Sequence, residues 1–324
     1  MKRGCIMKAV VVETPGDINQ LRYMEVSRPK VKPGWSLIKV KGFGINHSEI
    51  VTRQGLSPSV KFPRILGIEC VGEISISTDS DRIPVGQKVV SLMGEMGRAF
   101  DGSYAEYTLV PNKQIYPIKT SLDWISLATL PESYYTAYGS LLNLRIVADE
   151  TILVRGGSSG VGLAFVNLVK AKFPTCILTA ATRNITKKRS LLDYGYDHIV
   201  LDINNSLQTN DRYSKVLELV GPKTIKDTFK HVQAGGIVCS TGQLGGQWSL
   251  ENIDPIIDFA TNSYLTSFYS NNVSENILNN LLEYINTYNI KIRPEKIFKL
   301  SELQQAHNFL ESSQNLGKVI VLNN

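Results

Sequence analysis

The chain has 324 residues, 43% of them hydrophobic, and a formal net charge of +6. That length exceeds one typical core and predicts two domains, while the apolar content excludes a disordered chain. No apolar run approaches the ~20 residues of a membrane span, and no basic run exceeds three residues, so neither a membrane nor a nucleic acid is the expected partner. The four cysteines, Cys5, Cys70, Cys176 and Cys239, are far apart and form no C-x-x-C pair. Neither a disulfide framework nor a sulfur-rich zinc site is therefore expected, and a reduced, cytoplasmic setting is. Residues 1–6 read as too short for a signal sequence, with Met7 opening the first strand.

In chain order, the first part is short, β-rich and punctuated by Gly and Pro. Strands are expected over residues 8–13, 36–43, 69–76, 88–92 and 104–110, with turns at Pro33-Gly34 and at Pro84-Val85-Gly86. Near residue 120 the texture changes to alternating strands and helices: strands at 152–154, 177–181, 198–201, 213–219, 237–240 and 264–268, helices at 162–172, 187–194 and 224–231. That alternation predicts a doubly wound parallel sheet covered on both faces. The tail returns to mixed elements: helix 274–288, strand 295–299, helix 303–312 and strand 318–322. The expected division is a β domain over residues 1–120, completed by 270–324, and a nucleotide-binding domain over 121–269.

The densest signal begins at Thr151. Four apolar-strand residues run into the glycine cluster Gly156-Gly157-Ser158-Ser159-Gly160, which opens an amphipathic helix. Strand, tight turn and helix in that order place backbone N–H groups and a helix N-terminus against a pyrophosphate. The next strand usually ends in Asp or Glu where NAD is bound, because a carboxylate accepts from the ribose. Here its tip carries Thr182 and Arg183, with Lys187, Lys188 and Arg189 just beyond. A 2′-phosphate suits that tip, and Arg183 is its strongest candidate because a guanidinium binds phosphate bidentately. The expected cofactor is NADPH.

Several separate motifs together resemble a known family over nearly the whole chain: residues 42–49 (GFGINHSE), 67–72 (GIECVG), 84–89 (PVGQKV), 102–107 (GSYAEY), 154–163 (VRGGSSGVGL), 217–222 (LELVGP), 235–246 (GGIVCSTGQLGG) and the terminal Gly317-Lys318-Val319-Ile320. The chain resembles the zinc-free medium-chain dehydrogenases/reductases, close to their quinone oxidoreductase branch. The resemblance implies an α/β fold with a GroES-like β domain and a Rossmann domain, an active cleft between them, and dimers paired through the edge strand at 264–268. It implies that Ser158, Ser159, Gly160 and Val161 line the pyrophosphate and that Lys318 reaches it as well. Gly242 and Gln243 would approach the cofactor's ribose or nicotinamide half, and backbone at Ser267 and Phe268 would hold its carboxamide.

Zinc-dependent members of that superfamily carry Cys and His where this chain has Asn46 and Ile68. Asn46 is a poor zinc ligand and Ile68 cannot be one, and His47 with Glu69 makes too small a set, so no metal is expected. Without a Lewis acid, reduction rests on positioning and on an acceptor that is already electrophilic: a quinone or similar conjugated carbonyl. Asn46 is the candidate donor to the acceptor oxygen or the cofactor ribose. Tyr134, Tyr135 and Tyr138 lie in a segment that begins a cleft helix in the family, and Tyr134 is the candidate proton donor. At least two of the three are expected to be core packing. Two other readings stay open: reduction of the C=C bond of an enone or enoyl thioester, and a non-catalytic protein that binds NADPH or RNA, as some relatives in this branch do.

Overall fold

The computed structural model describes residues 6–312 and 314–323. Cys5 and the rest of the opening stretch 1–5 lie outside it, and so does the reading of that stretch as too short for a signal. Two compact units are formed. One comprises Met1–Glu132, Asn271–Leu282 and Ile292–Asn324, the other Ser133–Ser270 and Glu283–Lys291.

The first unit is built on the long strand Trp35–Ile45. It pairs antiparallel with Glu69–Ile76, Tyr107–Pro111 and Val319–Leu322, so the last strand of the chain lies beside an early one. The sheet continues through Lys88–Leu92 to Tyr116–Pro117 on one side and ends at Lys296–Lys299 on the other. A smaller sheet joins Leu21–Ser27, Ile6–Val12 and Arg64–Ile65. The core between them includes Val10, Ile38, Phe43, Tyr104 and Val321, with the Phe43 and Tyr104 rings stacked at 5.0 Å. Gly86 closes the hairpin between Glu69–Ile76 and Lys88–Leu92 at φ +85°, a left-handed conformation that glycine adopts without strain.

The second unit holds a seven-stranded sheet ordered Ser206–Leu207, His198–Ile203, Ile177–Thr182, Thr151–Arg155, Tyr213–Glu218, Val232–Ser240 and Tyr264–Ser267. All neighbours are parallel except the first pair. Numbered along the chain, the six parallel strands lie 3-2-1-4-5-6, the doubly wound order whose direction reverses beside the first strand. Ile152, Leu153 and Val154 are fully buried, as a strand covered on both faces requires. The fold is therefore α/β, a GroES-like β unit plus a Rossmann-type sheet.

Four elements depart from the sequence reading in ways the residues explain. The strand Leu21–Ser27 went unread because five of its seven residues are exposed and no apolar alternation marks it. The segment expected to be strand from residue 104 pairs continuously only from Tyr107, because Tyr104 turns inward and is fully buried, leaving a single bridge between Ala9 and Ala105. The helices His47–Arg53 and Trp124–Thr129 were also unread, being six or seven residues long and without a repeated apolar stripe.

Candidate functional site

In the second unit the parallel register brings the strand ends level. Arg155 pairs with Ala181 and Glu218, Glu218 with Ser240, and Ser240 with Ser267. The segments that follow, at 156–160, 183, 219–221, 241–243 and 268, consequently lie along one edge of the sheet. The glycine turn is tight for steric reasons: a methyl on Gly157 would sit 2.6 Å from the Ala180 side chain, and one on Gly162 would sit 2.8 Å from the Gly157 carbonyl oxygen. Ser159 caps the helix Gly160–Lys172, its hydroxyl accepting from the Gly162 N–H at 3.1 Å. The N–H groups of Gly160 and Val161, in the first turn, have no acceptor within the helix. A close-approach turn ending in free first-turn donors fits a pyrophosphate.

The other expected cofactor residues occupy the same edge. Arg183 is exposed and makes no ion pair or hydrogen bond among the described residues. The Thr182 hydroxyl accepts from the Asn184 N–H at 3.2 Å and so shapes the turn. Lys187, half-buried, ends the short turn Ile185–Lys187. No carboxylate stands at this tip in the sequence, and Asp202, on the neighbouring strand, is held by Arg155. Gly242 lies so close to Leu219 that a methyl would strike its backbone, and Gln243 beyond it is exposed. The Ser267 carbonyl accepts from Asn143 at 2.8 Å, and the Phe268 ring fills the space left by Gly139, 5.5 Å from the Tyr135 ring. Tyr134, Tyr135 and Tyr138 are all buried. The Tyr134 hydroxyl accepts from Asn167 at 2.9 Å, and burial raises its pKa above the ordinary phenol value.

Asn46 and Lys318 belong to the first unit, where the pairing of Val319–Leu322 with Trp35–Ile45 brings them together. The Lys318 ammonium, 5% exposed, donates to Asn46 Oδ1 at 2.6 Å and to Glu69 Oε1 at 2.5 Å. Glu69 is fully buried; its Oε1 also accepts from Asn46 Nδ2 at 3.0 Å, and its other oxygen accepts the Glu132 N–H. Glu49, in the first turn of His47–Arg53, accepts from the N–H groups of Ile68 and Asn46 at 3.2 and 3.1 Å. Burial pushes its carboxyl up to about 7, with the Glu69 charge adding to the shift and Lys318 opposing it. Gly44 makes the pair possible: a side chain there would run into Lys318 Cε and Glu69 Oε1.

Sequence reasoning singled out Asn46 and Lys318 separately and left Glu69 as a polar residue of unassigned role. The available signal was a glutamate opening an apolar strand, which requires a cation when buried. Zinc does not fit this arrangement. The described residues contain no group of three or more His, Cys, Asp or Glu that could hold a metal. An ammonium already engages the Asn46 and Glu69 oxygens that a cation would use.

Two family models match in chain order: an alcohol dehydrogenase GroES-like domain over residues 32–120 and a zinc-binding dehydrogenase domain over residues 192–321. The chain belongs to the medium-chain dehydrogenases/reductases, a family of NAD(P)-dependent oxidoreductases. It is 27% identical to a probable quinone oxidoreductase of Schizosaccharomyces pombe, covering 97% of each chain. It is 26% identical to the chloroplastic NADPH-dependent alkenal/one oxidoreductase of Arabidopsis thaliana, over 97% of this chain and 79% of that one. The squalestatin tetraketide synthase clz2 of Cochliobolus lunatus is 24% identical over 96% of this chain, which spans only 13% of that protein. A mycobacterial structure complexed with NADPH superposes with a TM-score of 0.79 at 21% identity, over 98% of this chain and all of that one, a likeness of fold. Among the described residues no helix is long and apolar enough to cross a membrane.

Proposed function

We propose that this chain is an NADPH-dependent oxidoreductase that reduces a quinone or similar conjugated acceptor without zinc. The observation that carries the reading is the uncommitted Arg183 at a strand tip that has no carboxylate, one strand away from a glycine turn that ends in free first-turn N–H groups. Bound NADPH would supply a hydride. Ser158, Ser159, Gly160 and Val161 would hold its pyrophosphate, Arg183 with Thr182 and Lys187 its 2′-phosphate, Gly242 and Gln243 its ribose side, and Ser267 and Phe268 its carboxamide. Asn46 donates to the acceptor oxygen, where charge develops during reduction. Tyr134 has a proton not engaged by Asn167, but its raised pKa makes it a weak acid, so we assign the acceptor's proton to water. The alkenal/one oxidoreductase relative favours a second reading, reduction of an enone C=C bond at the same site.

Calorimetry of NADPH and NADH, on wild type and Arg183→Ala after treatment with a chelator, tests the cofactor. The expected result is a preference for NADPH of tenfold or more, about 1.4 kcal/mol, that largely collapses in the variant, with no loss on chelation. Equal binding of the two cofactors by wild type would sink the assignment of Arg183. The proposal includes pairing of two copies along Tyr264–Ser267, which forms one edge of its sheet and bears Tyr264, 60% exposed. Light scattering should give twice the chain mass; a monomer that persists at high concentration would remove this part.

A further inference from the structure

We propose that Lys318, together with Glu69, acts as a positioning residue that locks the amide of Asn46 in one orientation, so that the NH2 end and not the oxygen is offered to the acceptor. This rests on the reduction proposed above and names the device that would make Asn46 a dedicated donor.

An ammonium can only donate and an ionised carboxylate can only accept. Asn46 touches one of each: Oδ1 lies 2.6 Å from Lys318 Nζ, and Nδ2 lies 3.0 Å from Glu69 Oε1. The reversed amide would set NH2 against NH3+ and oxygen against carboxylate, replacing two attractions by two repulsions. One Nδ2 hydrogen is engaged by Glu69, and the second has no acceptor among the described residues. Lys318 and Glu69 are 5% and 0% exposed, whereas Asn46 is only half-buried, so the free donor belongs to the member of the trio nearest the surface. The charge on Oδ1 also polarises the amide toward better donation at nitrogen. The absence of a side chain at Gly44 leaves room for this pair. A Lys318 that swung away to a pyrophosphate would leave Glu69 buried without its cation.

The full chain is assayed with NADPH and a substituted 1,4-benzoquinone, in wild type, Lys318→Met, Lys318→Arg, Asn46→Ala and the Lys318→Met/Asn46→Ala double variant. Lys318→Met should lower kcat at least tenfold while the calorimetric Kd for NADPH stays within twofold, and Lys318→Arg should keep a third or more of wild-type kcat. The double variant should be no worse than Asn46→Ala, because Lys318 acts through Asn46. A tenfold weaker NADPH Kd with unchanged kcat would move Lys318 to the cofactor and overturn the proposal, as would losses that multiply in the double variant. If Lys318→Met does not fold, the ammonium signal of wild type and Asn46→Ala takes its place. An activity-free readout separates this inference from the function it rests on. In 15N-lysine-labelled protein the buried ammonium should give a slowly exchanging signal, absent in Lys318→Met and shifted in Asn46→Ala. If wild type reduces no acceptor, the proposed function falls and this signal alone decides whether the lock exists; a signal unmoved in Asn46→Ala overturns it.

Discussion

Each unit has a cation buried among carboxylates beside its strand ends, Arg155 in one and Lys318 in the other, and these two clusters are built to different degrees of completion. Arg155, fully buried in the second unit, grips both oxygens of Asp202 at 2.8 and 3.0 Å. It also reaches Thr228 Oγ1 at 2.8 Å, the carbonyls of Thr224 and Asn205 at 3.2 and 2.8 Å, and Asp227 at 3.0 Å. All five N–H donors of a guanidinium are thereby engaged. Glu218 alongside is closed too, accepting from Val220, Gly221 and Thr228. In the first unit Lys318 and Glu69 are as deeply buried, yet they end on an amide with a donor to spare. A saturated network ties strand ends together. One that stops a single bond short leaves chemistry available.

The largest effect should come from breaking the saturated cluster. Arg155→Met strands the buried Asp202 and Glu218 without their cation, and removing one partner of a buried pair costs about 3–5 kcal/mol. Urea unfolding should show that loss, with Arg155→Lys recovering part of it by keeping charge without the planar fork. A loss below about 1 kcal/mol would show that the cluster does not hold the strand ends.

The open cluster should show itself in pH dependence. The Glu49 carboxyl is raised to about 7 by burial, then by Glu69, against the pull of Lys318. With the folded-state value above the unfolded one, its contribution to stability is fully present below the ordinary carboxylate range and is lost as pH rises through about 7. His307 runs the other way. Burial, then Arg53, hold it at about 3, so its contribution is present above the ordinary histidine value and lost on acidification toward 3. Between these limits the two slopes oppose, each at most about 1.4 kcal/mol per pH unit. Glu49→Gln removes one, so its urea midpoint should fall more steeply than that of wild type from pH 7 to pH 5. Parallel curves would mean that Glu49 stays ionised in the folded chain.

How much of this could be read in advance differs between the clusters for a physical reason. The glycine turn is local, since its cap and its helix follow it directly and its steric partner Ala180 lies on the next strand, and its pattern is plain in the sequence. The strands Glu69–Ile76 and Lys88–Leu92 were likewise marked by their apolar runs and by the turn at Gly86. Lys318 and Glu69 are 249 positions apart, and the pairing of both their strands with Trp35–Ile45 joins them. No local pattern encodes that. Arg155 offered a fainter sign, a charge inside an otherwise apolar strand, but its partners come from strand and helix ends far along the chain.

The smallest expected effect concerns Tyr134, the residue nominated from sequence as a proton donor. The residue is 4% exposed, its hydroxyl is tied to Asn167, and burial raises its pKa, so it holds its proton firmly. Unlike the half-buried Asn46, it keeps its unengaged proton away from the surface. Tyr134→Phe removes one hydrogen bond, worth about 0.5–1.5 kcal/mol of stability, and should leave kcat for quinone reduction within twofold. Of these two residues, Asn46 should then be the one whose loss is costly to kcat. A tenfold fall in kcat for Tyr134→Phe, with stability unchanged, would reverse the contrast: a buried hydroxyl would then be delivering the proton assigned here to water.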